Sequence, residues 1–341
     1  MDEASFLRVF GFGSMMDKPA DGFGPLFCAA FAGQPLLIAA CARQGANLHS
    51  RIAVTDTELW MTKGETLLNQ VLLDNPVRLV EIITALIEAK TDPNRKGVLG
   101  NTPLHYCKTA TAIALLLQQR ASIECRTSIG VTPLTCAVNF GGPGAVMSLL
   151  EHHAEVEPAF SGLGVSPLCN TAIFCDGIEE ASILLEHRAD PNRQFQLTGV
   201  FRAVSDALHA FPGQRVAKFN RVLAHLRGIT PLGMAALLGK VSLVALLLDA
   251  QGDVAVRNTR GCDVHKLARI GFSPDAVFAE LQGKSSIRTS IRRRVSTLRG
   301  AGEMDEELGT VAACGADVPL LLAEEMEAEE LGSLTKLSIG L

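Results

Sequence analysis

Apolar residues recur along most of this chain in short, dense stripes separated by polar loops. Apolar positions that recur every three or four residues are typical of one face of an α-helix. Leu and Ala supply most of the apolar residues, whereas aromatic residues make up only 5% of the chain. This balance favours closely packed helices over sheets. Clear stripes are Ala112 to Leu117, Val146 to Leu150, Ile183 to Leu185 and Val241 to Leu248.

A short phrase precedes several of these stripes. Gly100 to His105 reads Gly-Asn-Thr-Pro-Leu-His, and clear copies are Gly130 to Thr135, Gly164 to Cys169 and Gly228 to Gly233. Weaker copies lie near Gly22, Gly64, Thr198 and Gly261. The positions equivalent to Thr102 are 24, 66, 102, 132, 166, 198, 230 and 263, a mean interval close to 34 residues. The phrase is therefore an internal repeat.

The phrase has the chemistry of a helix start. A Thr or Ser at the N-cap accepts a hydrogen bond from a free backbone N–H, and Pro suits the first helical position because its missing N–H would have no partner there. The preceding Gly allows a tight turn. After the second helix comes a small residue followed by Asp or Asn, as in Ala189-Asp190, which is typical of a turn.

This arrangement resembles the ankyrin repeat family, whose pattern is Gly-x-Thr-Pro-Leu-His-x-Ala, then Gly, Leu-Leu and Gly-Ala-Asp. The resemblance covers about residues 22 to 282. It implies an all-α fold: an ankyrin-repeat solenoid of stacked helix-turn-helix repeats with short loop fingers, followed by an irregular C-terminal tail.

The chain departs from the family pattern in several places. Only His105 keeps the motif histidine; the other copies have Phe27, Thr135, Cys169 and Gly233. We expect an extended loop over Arg51 to Lys63, where the first interval is too long. We also expect irregular second, third and sixth repeats. The sixth, near Phe195 to Arg227, lacks its closing turn.

Three regions follow from this register. Residues 1–21 are an N-terminal tail, residues 22–283 form the repeat domain with about seven repeats and a terminal half-repeat, and residues 284–341 form a charged C-terminal tail. Gly22 to Ala42 has no charged residue and is long enough to span a bilayer. The repeat register instead places two short helices and a turn at Gly33 there, so we expect no membrane span.

Cysteine usage points to a reducing compartment. The nine Cys are an odd number without a Cys-x-x-Cys pair, and most lie in apolar helical patterns, so we predict buried free thiols. We expect a cytoplasmic location, with the nucleus as the alternative. His152-His153 lacks further ligands at metal spacing, and no metal site is predicted.

The sequence offers no motif for catalysis. Gly11-Phe12-Gly13 lacks the third Gly of a dinucleotide site, and Gly141 to Gly144 lacks the Gly-Lys-Ser ending of a phosphate loop. We therefore expect no enzyme activity and no cofactor. Nucleic acid is a poor partner, because the formal net charge is -5 and the one basic block is followed by a larger acidic one.

The resemblance implies that other proteins bind to the loop tips and to the exposed side of the first helices. An arginine-rich set of tips would suit an acidic partner, and Tyr106, the only Tyr, would suit an anchor. Candidate partner-binding residues are Arg95, Lys96, Tyr106, Lys108, Arg126, Asn139, Asn170, Arg193, Arg257 and Arg260. Further tip and first-helix candidates are Thr127, Ser128, Gln194, Asn258, Thr259 and Ile173.

The C-terminal segment has two oppositely charged blocks. Lys284 to Arg299 carries bases and no acid, and Glu303 to Glu330 carries ten acids and no base. Three interpretations are open. The blocks pair with each other in a solvated tail, residues 284–299 form an amphipathic helix that binds calmodulin or a membrane surface, or Ser296 after Arg293-Arg294 is a kinase phosphorylation site.

Two hypotheses for function follow. The first is a non-catalytic interaction module or scaffold that binds a partner through the concave face and loop tips of the ankyrin stack. The second is a regulatory or adaptor fragment of a larger protein, such as a channel, kinase or ubiquitin-ligase component, with its active part outside this chain.

Overall fold

The structure is a computed structural model that describes residues 2–17, 24–48, 51–52, 63–74, 78–158, 166–174, 177–196, 225–271 and 274–283. These residues form helices, and their only strand-like pairing is one bridge between Arg51 and Thr66. The chain divides into two compact units: Met1–Pro167 with Glu186–Arg188, and Leu168–Leu185 with Ala189–Leu341. Each unit is described by itself.

The helices come in pairs, as the repeat pattern predicts. Unit 1 contains α1 Glu3–Phe10, α2 Pro25–Phe31, α3 Pro35–Arg43, α4 Leu67–Asp74, α5 Leu79–Glu88, a 3-10 turn Pro103–Tyr106, α6 Ala110–Gln118, α7 Pro133–Cys136 and α8 Gly142–Glu151. Unit 2 contains the next six: α9 Pro167–Phe174, α10 Ile178–Glu186, α11 Pro231–Leu238, α12 Val241–Asp249, α13 Val264–Ile270 and α14 Pro274–Leu281. The terminal repeat was predicted to be a half-repeat, but it contains both helices of a pair, α13 and α14.

Helices of the same rank stack on one another. In unit 1 the second helices α3, α5, α6 and α8 contact each other in that order, and so do the first helices, with the 3-10 turn between α4 and α7. In unit 2, α11 packs on α13 and α12 on α14. Since these helices pack mainly on their neighbours, the core of each unit runs along its own stack.

Threonine caps the first helices, as predicted. Thr132 Oγ1 accepts from Thr135 N at 3.3 Å, and Thr230 Oγ1 accepts from Gly233 N at 3.1 Å. In the third repeat the 3-10 turn replaces an α-helix, and His105 Nδ1 accepts from Thr102 N at 3.1 Å. His105 Nε2 lies 3.1 Å from Val131 O of the next repeat. The motif histidine therefore joins its own cap to the neighbouring loop.

Residues 24–42 contain two short helices rather than one span. α2 ends at Phe31, Gly33 adopts a φ of 65°, and α3 starts at Pro35. This is the turn that the register predicts. Among the described residues, no helix has the length and apolar character needed to cross a membrane.

Successive repeats are joined by hairpins that we call fingers. In one finger Thr127 N donates to Val131 O at 3.1 Å, and Gly130 N donates back to Thr127 O at 2.9 Å. Gly97 to Asn101 and Asn258 to Cys262 make the same two bonds. The glycines that donate back have φ values of 83°, 77° and 69° for Gly130, Gly100 and Gly261. Other residues rarely adopt this conformation, which explains the Gly of the repeated phrase.

Two fingers make the same bonds across a longer stretch of chain. Ile52 N donates to Glu65 O at 3.0 Å, and Gly64 N donates to Ile52 O at 2.8 Å. Phe195 N donates to Ile229 O at 2.8 Å, and Gly228 N donates to Phe195 O at 2.7 Å. The bonded pair is three positions apart in a short finger, but 12 apart in the first of these and 33 apart in the second. Most of the predicted Arg51–Lys63 loop lies outside the described residues.

Side-chain bonds between closing turns show which repeats are neighbours. Asn94 Nδ2 donates to Arg120 O at 3.0 Å, and Ser122 N donates to Asn94 Oδ1 at 2.7 Å. Asn192 makes the equivalent bonds, to Gln251 O at 3.2 Å and from Asp253 N at 2.7 Å. The repeat that starts at Gly228 therefore follows directly on the repeat that ends near Phe195.

These contacts correct the predicted sixth repeat. A repeat stacked between Phe195 and Gly228 would separate Asn192 from Gln251 and Phe195 from Ile229, but both pairs are hydrogen-bonded. The predicted sixth repeat, with its copy of the phrase at Thr198, falls between these two directly joined repeats. Residues 197–224 themselves lie outside the described residues.

A buried carboxylate holds the second finger of unit 1. Glu65 Oε1 accepts from Asn69 Nδ2 at 2.6 Å and from Thr66 N at 3.0 Å, while Oε2 accepts from Val98 N at 3.2 Å and Tyr106 Oη at 3.1 Å. Four donors satisfy a charged group that would otherwise be costly to bury.

We expect Leu149→Ala to lower the free energy of unfolding by roughly 2–5 kcal/mol. Leu149 is 1% exposed in α8, so the truncation leaves a cavity. Chemical denaturation of the full chain measures the change. Leu36→Ala is the matched control, because Leu36 is 81% exposed and should change stability by less than about 0.5 kcal/mol. A loss well below 1 kcal/mol for Leu149→Ala would contradict its place in the core.

Gly97→Ala should destabilise the protein by about 1–3 kcal/mol. A Cβ at Gly97 would overlap Glu65 Oε1 and lie 2.6 Å from Asn69 Nδ2, so the carboxylate would have to leave its donors. Gly144→Ala is the control, since a Cβ there meets nothing within 4 Å and Ala is the better helix former. Equal stabilities for the two variants in denaturant titrations would refute the role of Glu65.

The free energy of unfolding should fall as the pH is lowered below about 6.5, the usual pKa of histidine. Burial lowers the pKa of His105, outweighing its bonds to Val131 and Thr102. The unfolded chain therefore binds the proton first, and stability present above that pH is lost on acidification. Melting temperatures measured between pH 8 and pH 5 should change less with pH for His105→Gln than for His265→Gln. His265 is the control because its side chain is exposed. Equal slopes would contradict this assignment.

Candidate partner-binding surface

The basic tip candidates of unit 1 lie on two fingers. Lys96 is exposed, while Arg95 and Arg126 are half-buried. The Lys96 carbonyl accepts from Arg51 Nη2 at 2.8 Å, which ties this finger to the preceding one. Arg126 Nη2 lies 3.6 Å from Glu155 Oε2 of the next repeat. Hydrogen bonds and an ion pair to neighbouring repeats therefore hold the fingers that carry these cations.

Exposed aliphatic side chains lie on the same fingers. Leu99 is 62% exposed and Ile129 is 55% exposed, and the two tips are joined because Ser128 N donates to Leu99 O at 2.7 Å. The sequence prediction did not include either residue, because it placed the contacts on charged and polar finger residues. Their signal is an aliphatic residue directly before the glycine of a finger.

Tyr106 lies half-buried beside the Glu65 carboxylate. Its hydroxyl donates to Glu65 Oε2 at 3.1 Å and accepts from Asn101 Nδ2 at 2.9 Å. Burial, with the nearby Glu65 charge as the second cause, raises the pKa of Tyr106 well above its usual value. The phenol therefore stays protonated and is already engaged within the fold.

The remaining first-helix candidates differ in how much surface they offer. Lys108 is exposed, and its Nζ donates to Leu73 O at 3.2 Å. Asn139 is half-buried, and its Oδ1 is buried without a hydrogen-bond partner. In unit 2, Ile173 is half-buried and Asn170 is only 4% exposed, so the Asn170 side chain offers almost no surface to a partner.

In unit 2 the arginine candidates lie on two joined fingers. Gln194 Nε2 donates to Gly228 O and to Arg257 O, both at 2.9 Å. Arg257 is exposed, whereas Arg193 and Arg260 are half-buried. Arg227, half-buried beside them, was not chosen from sequence because the register placed it inside a sixth repeat. Its carbonyl accepts from Thr259 N and Thr259 Oγ1, each at 3.0 Å.

Two other tip candidates serve the fingers themselves. Asn258 is buried, and its Oδ1 accepts from Arg260 N at 3.0 Å and from Cys262 N at 2.9 Å. Thr127 is buried as well, and its Oγ1 accepts from Val131 N at 3.0 Å. These side chains close the turn, so the neighbouring residues are the ones that face outward.

The described cysteines are free thiols. Burial raises the pKa of Cys41 to about 11 and that of Cys136 to about 12, so both remain protonated and weakly nucleophilic. Cys125 Sγ lies 2.8 Å from Thr102 Oγ1 and 3.8 Å from His105 Nδ1, and burial raises its pKa too. Within the described ranges, no three His, Cys, Asp or Glu side chains cluster as a metal site would require. Ser296 and the basic segment 284–299 lie outside the described residues.

Comparisons with known proteins give partial sequence matches. No protein-family model matches the chain. Over 191 residues the chain is 30% identical to neurogenic locus notch homolog protein 1 of Mus musculus. The matched region covers 51% of this chain and 7% of that protein. The B-cell lymphoma 3 protein homolog of Mus musculus is 28% identical over 152 residues, or 42% of this chain and 32% of that protein. The matches thus span a minor part of each relative.

Solved structures match a larger share of the chain. The ankyrin repeat domain of Bcl-3, described as a unique member of the IkappaB protein family, is 20% identical with a TM-score of 0.55 over 77% of this chain and 100% of that chain. The human ASB11 ankyrin repeat domain is 21% identical with a TM-score of 0.53 over 75% of this chain and 97% of that chain. As its sequence resemblance predicts, this chain has the all-α fold of an ankyrin repeat domain.

Proposed function

We propose that this chain is a protein–protein interaction module whose fingers bind a partner. The observation that carries the proposal is the pair of linked tips in unit 1, where exposed Leu99 and Ile129 lie on fingers that also carry Lys96 and Arg126. Aliphatic residues beside cations, held on hydrogen-bonded hairpins, combine the apolar contact and charge selectivity that protein interfaces use.

The partner that fits this surface has apolar side chains flanked by carboxylates. Lys96 and Arg126 would face its acids at the rim, while Leu99 and Ile129 would lose their exposed area to its apolar residues. Preformed fingers lower the entropy cost of binding, because little backbone has to be ordered. Arg126 would have to share or exchange its contact with Glu155.

The fold supports this assignment by analogy only. The ankyrin repeat domains of Bcl-3 and human ASB11 share it. We therefore propose a scaffold rather than an enzyme, in the cytoplasm or the nucleus. The alternative is the adaptor part of a larger protein, such as a channel, kinase or ubiquitin-ligase component. It is favoured by one observation, that the chain matches only 7% and 32% of the two relatives' lengths.

A charge-reversal experiment tests the finger surface. Full-length protein and its Lys96→Glu/Arg126→Glu variant are used to capture partners from native lysate, and captured proteins are quantified by mass spectrometry. We expect the variant to retain at least about tenfold less of the specific partner, since the loss of two rim charges corresponds to about 1.4 kcal/mol.

The matched control is Arg8→Glu/Arg43→Glu, which reverses two exposed arginines away from the fingers. It should retain the partner like the wild type, and all three proteins should have equal melting temperatures. Capture of no specific protein by the wild type, or equal capture by the finger variant, would overturn the proposal.

A further inference from the structure

Leu99, at the tip of the second finger of unit 1, has a left-handed backbone conformation. Its φ is 56° and its ψ is 15°, and Gly100 follows with a φ of 77°. Across this pair Asn101 N donates to Val98 O at 3.2 Å. Two consecutive residues with positive φ make a type I′ turn, in which Asn followed by Gly is the preferred pair. A Leu at the first of these positions costs stability, because its Cβ crowds the carbonyl oxygen that follows.

Burial of the side chain does not offset this cost. Leu99 is 62% exposed, so much of its apolar surface stays in water. Ile129 and Arg260 stand directly before the glycine of their fingers, as Leu99 does, and neither has a positive φ. Among the described non-glycine residues with a positive φ, Leu99 is the one apolar residue. An apolar side chain held in a strained and exposed position points to a use outside the folded chain itself.

Hydrogen bonds from neighbouring segments hold this turn in place. Leu99 O accepts from Ser128 N of the next finger at 2.7 Å, and Val98 N donates to the buried Glu65 carboxylate at 3.2 Å. The two tips also pack closely, since a Cβ at Gly100 would lie only 3.1 Å from Ser128 N. The backbone that carries Leu99 is therefore ordered before a partner binds, which lowers the entropy cost of forming the complex.

The hydrogen-bonded fingers around Leu99 carry more bases than acids. The described residues of these fingers and their closing turns are 51–52, 63–66, 92–101 and 120–131. They contain six bases and three acids, although the formal net charge of the whole chain is -5. The three acids, Glu65, Asp92 and Glu124, each accept a backbone N–H within the fold. A partner segment with carboxylates therefore suits this surface better than a basic one.

We propose that Leu99 is the anchor residue of this surface, and that it binds an acidic peptide segment of another protein by packing among that segment's apolar side chains. Ile129, 55% exposed on the linked finger, extends the apolar contact, and the carboxylates of the segment face the more numerous bases. A few anchoring side chains account for most of the affinity of a protein interface. The inference rests on the proposed function, and it adds which residue determines affinity and which kind of segment it selects.

Leu99→Asn should raise the melting temperature by about 2–4 °C, because Asn adopts a left-handed conformation more readily than Leu. The matched control is Ile129→Asn, since Ile129 stands at the same place in its finger without a positive φ. That change should give no such rise. Differential scanning calorimetry of the full-length proteins measures both. A side chain that served only the fold would instead lower the melting temperature when it is replaced.

Displayed peptide libraries measure which segments the surface selects. Full-length wild type is used to select from a library whose apolar positions are flanked by Asp or Glu, and from a matched library in which Lys or Arg flanks them. We expect enrichment from the acidic library only. The enriched peptides are then labelled with fluorescein and titrated with each protein by fluorescence anisotropy.

Leu99→Asn should weaken the binding of these peptides at least about tenfold. Leu99→Met keeps an apolar side chain of similar volume and should bind nearly as tightly as wild type. Val9→Asn is the control, because Val9 is 67% exposed in α1 rather than on a finger, and it should leave binding unchanged.

Three results would overturn the inference. Enrichment from the basic library, or from neither library, would contradict the acidic segment. Binding to Leu99→Asn that is no weaker than binding to Val9→Asn would contradict the anchor role. A melting temperature of Leu99→Asn at or below that of wild type would show that the Leu99 backbone is not strained.

The proposed function fails by a different result. A lysate protein whose capture depends on Lys96 and Arg126, but is equal for wild type and Leu99→Asn, would overturn the anchor role and leave the interaction module standing. Equal capture by Lys96→Glu/Arg126→Glu and wild type would overturn the interaction through these fingers itself.

Discussion

A pair of backbone hydrogen bonds across each finger sets the arrangement of the repeats. One residue donates to the far side of the hairpin, and a glycine with positive φ donates back, as Thr127 and Gly130 do. These bonds satisfy polar groups that would otherwise be stranded between repeats. Because each finger that the structure describes closes in the same way, the helix after it starts from an equivalent position. The stacking of the helices depends on this closure.

Once the two bonds are made, the length of chain between them matters little to the stack. The finger from Phe195 to Gly228 closes like the finger from Thr127 to Gly130, although one spans a far longer stretch of sequence. Loop-closure entropy grows only slowly with length, which makes such insertions tolerable at a finger and costly inside a helix pair.

Different side chains hydrogen-bond within each finger. Those side chains hold the turn, and their neighbours remain exposed for contact with a partner. Asn258 and Thr127 bond to their own turns, and Glu65 takes four donors around Val98 and Tyr106. Their neighbours, among them Leu99 and Arg257, are left facing outward. Fingers thus combine a hydrogen-bonded backbone with side chains that face outward, and this combination suits the recognition of other proteins.

The sequence by itself determined the helix pairs, the threonine caps and the turn at Gly33, because these depend on local chemistry and on the period of apolar residues. It also predicted the all-α ankyrin-repeat fold that the solved structures share. Only the tertiary structure showed that the repeat starting at Gly228 is the direct neighbour of the repeat ending near Phe195, since this depends on the bonds of Asn192 to Gln251 and Asp253, about 60 residues away. Burial of Asn170 and exposure of Leu99 were likewise decided by neighbouring repeats. A period along the chain cannot report which side chains the adjacent repeat covers.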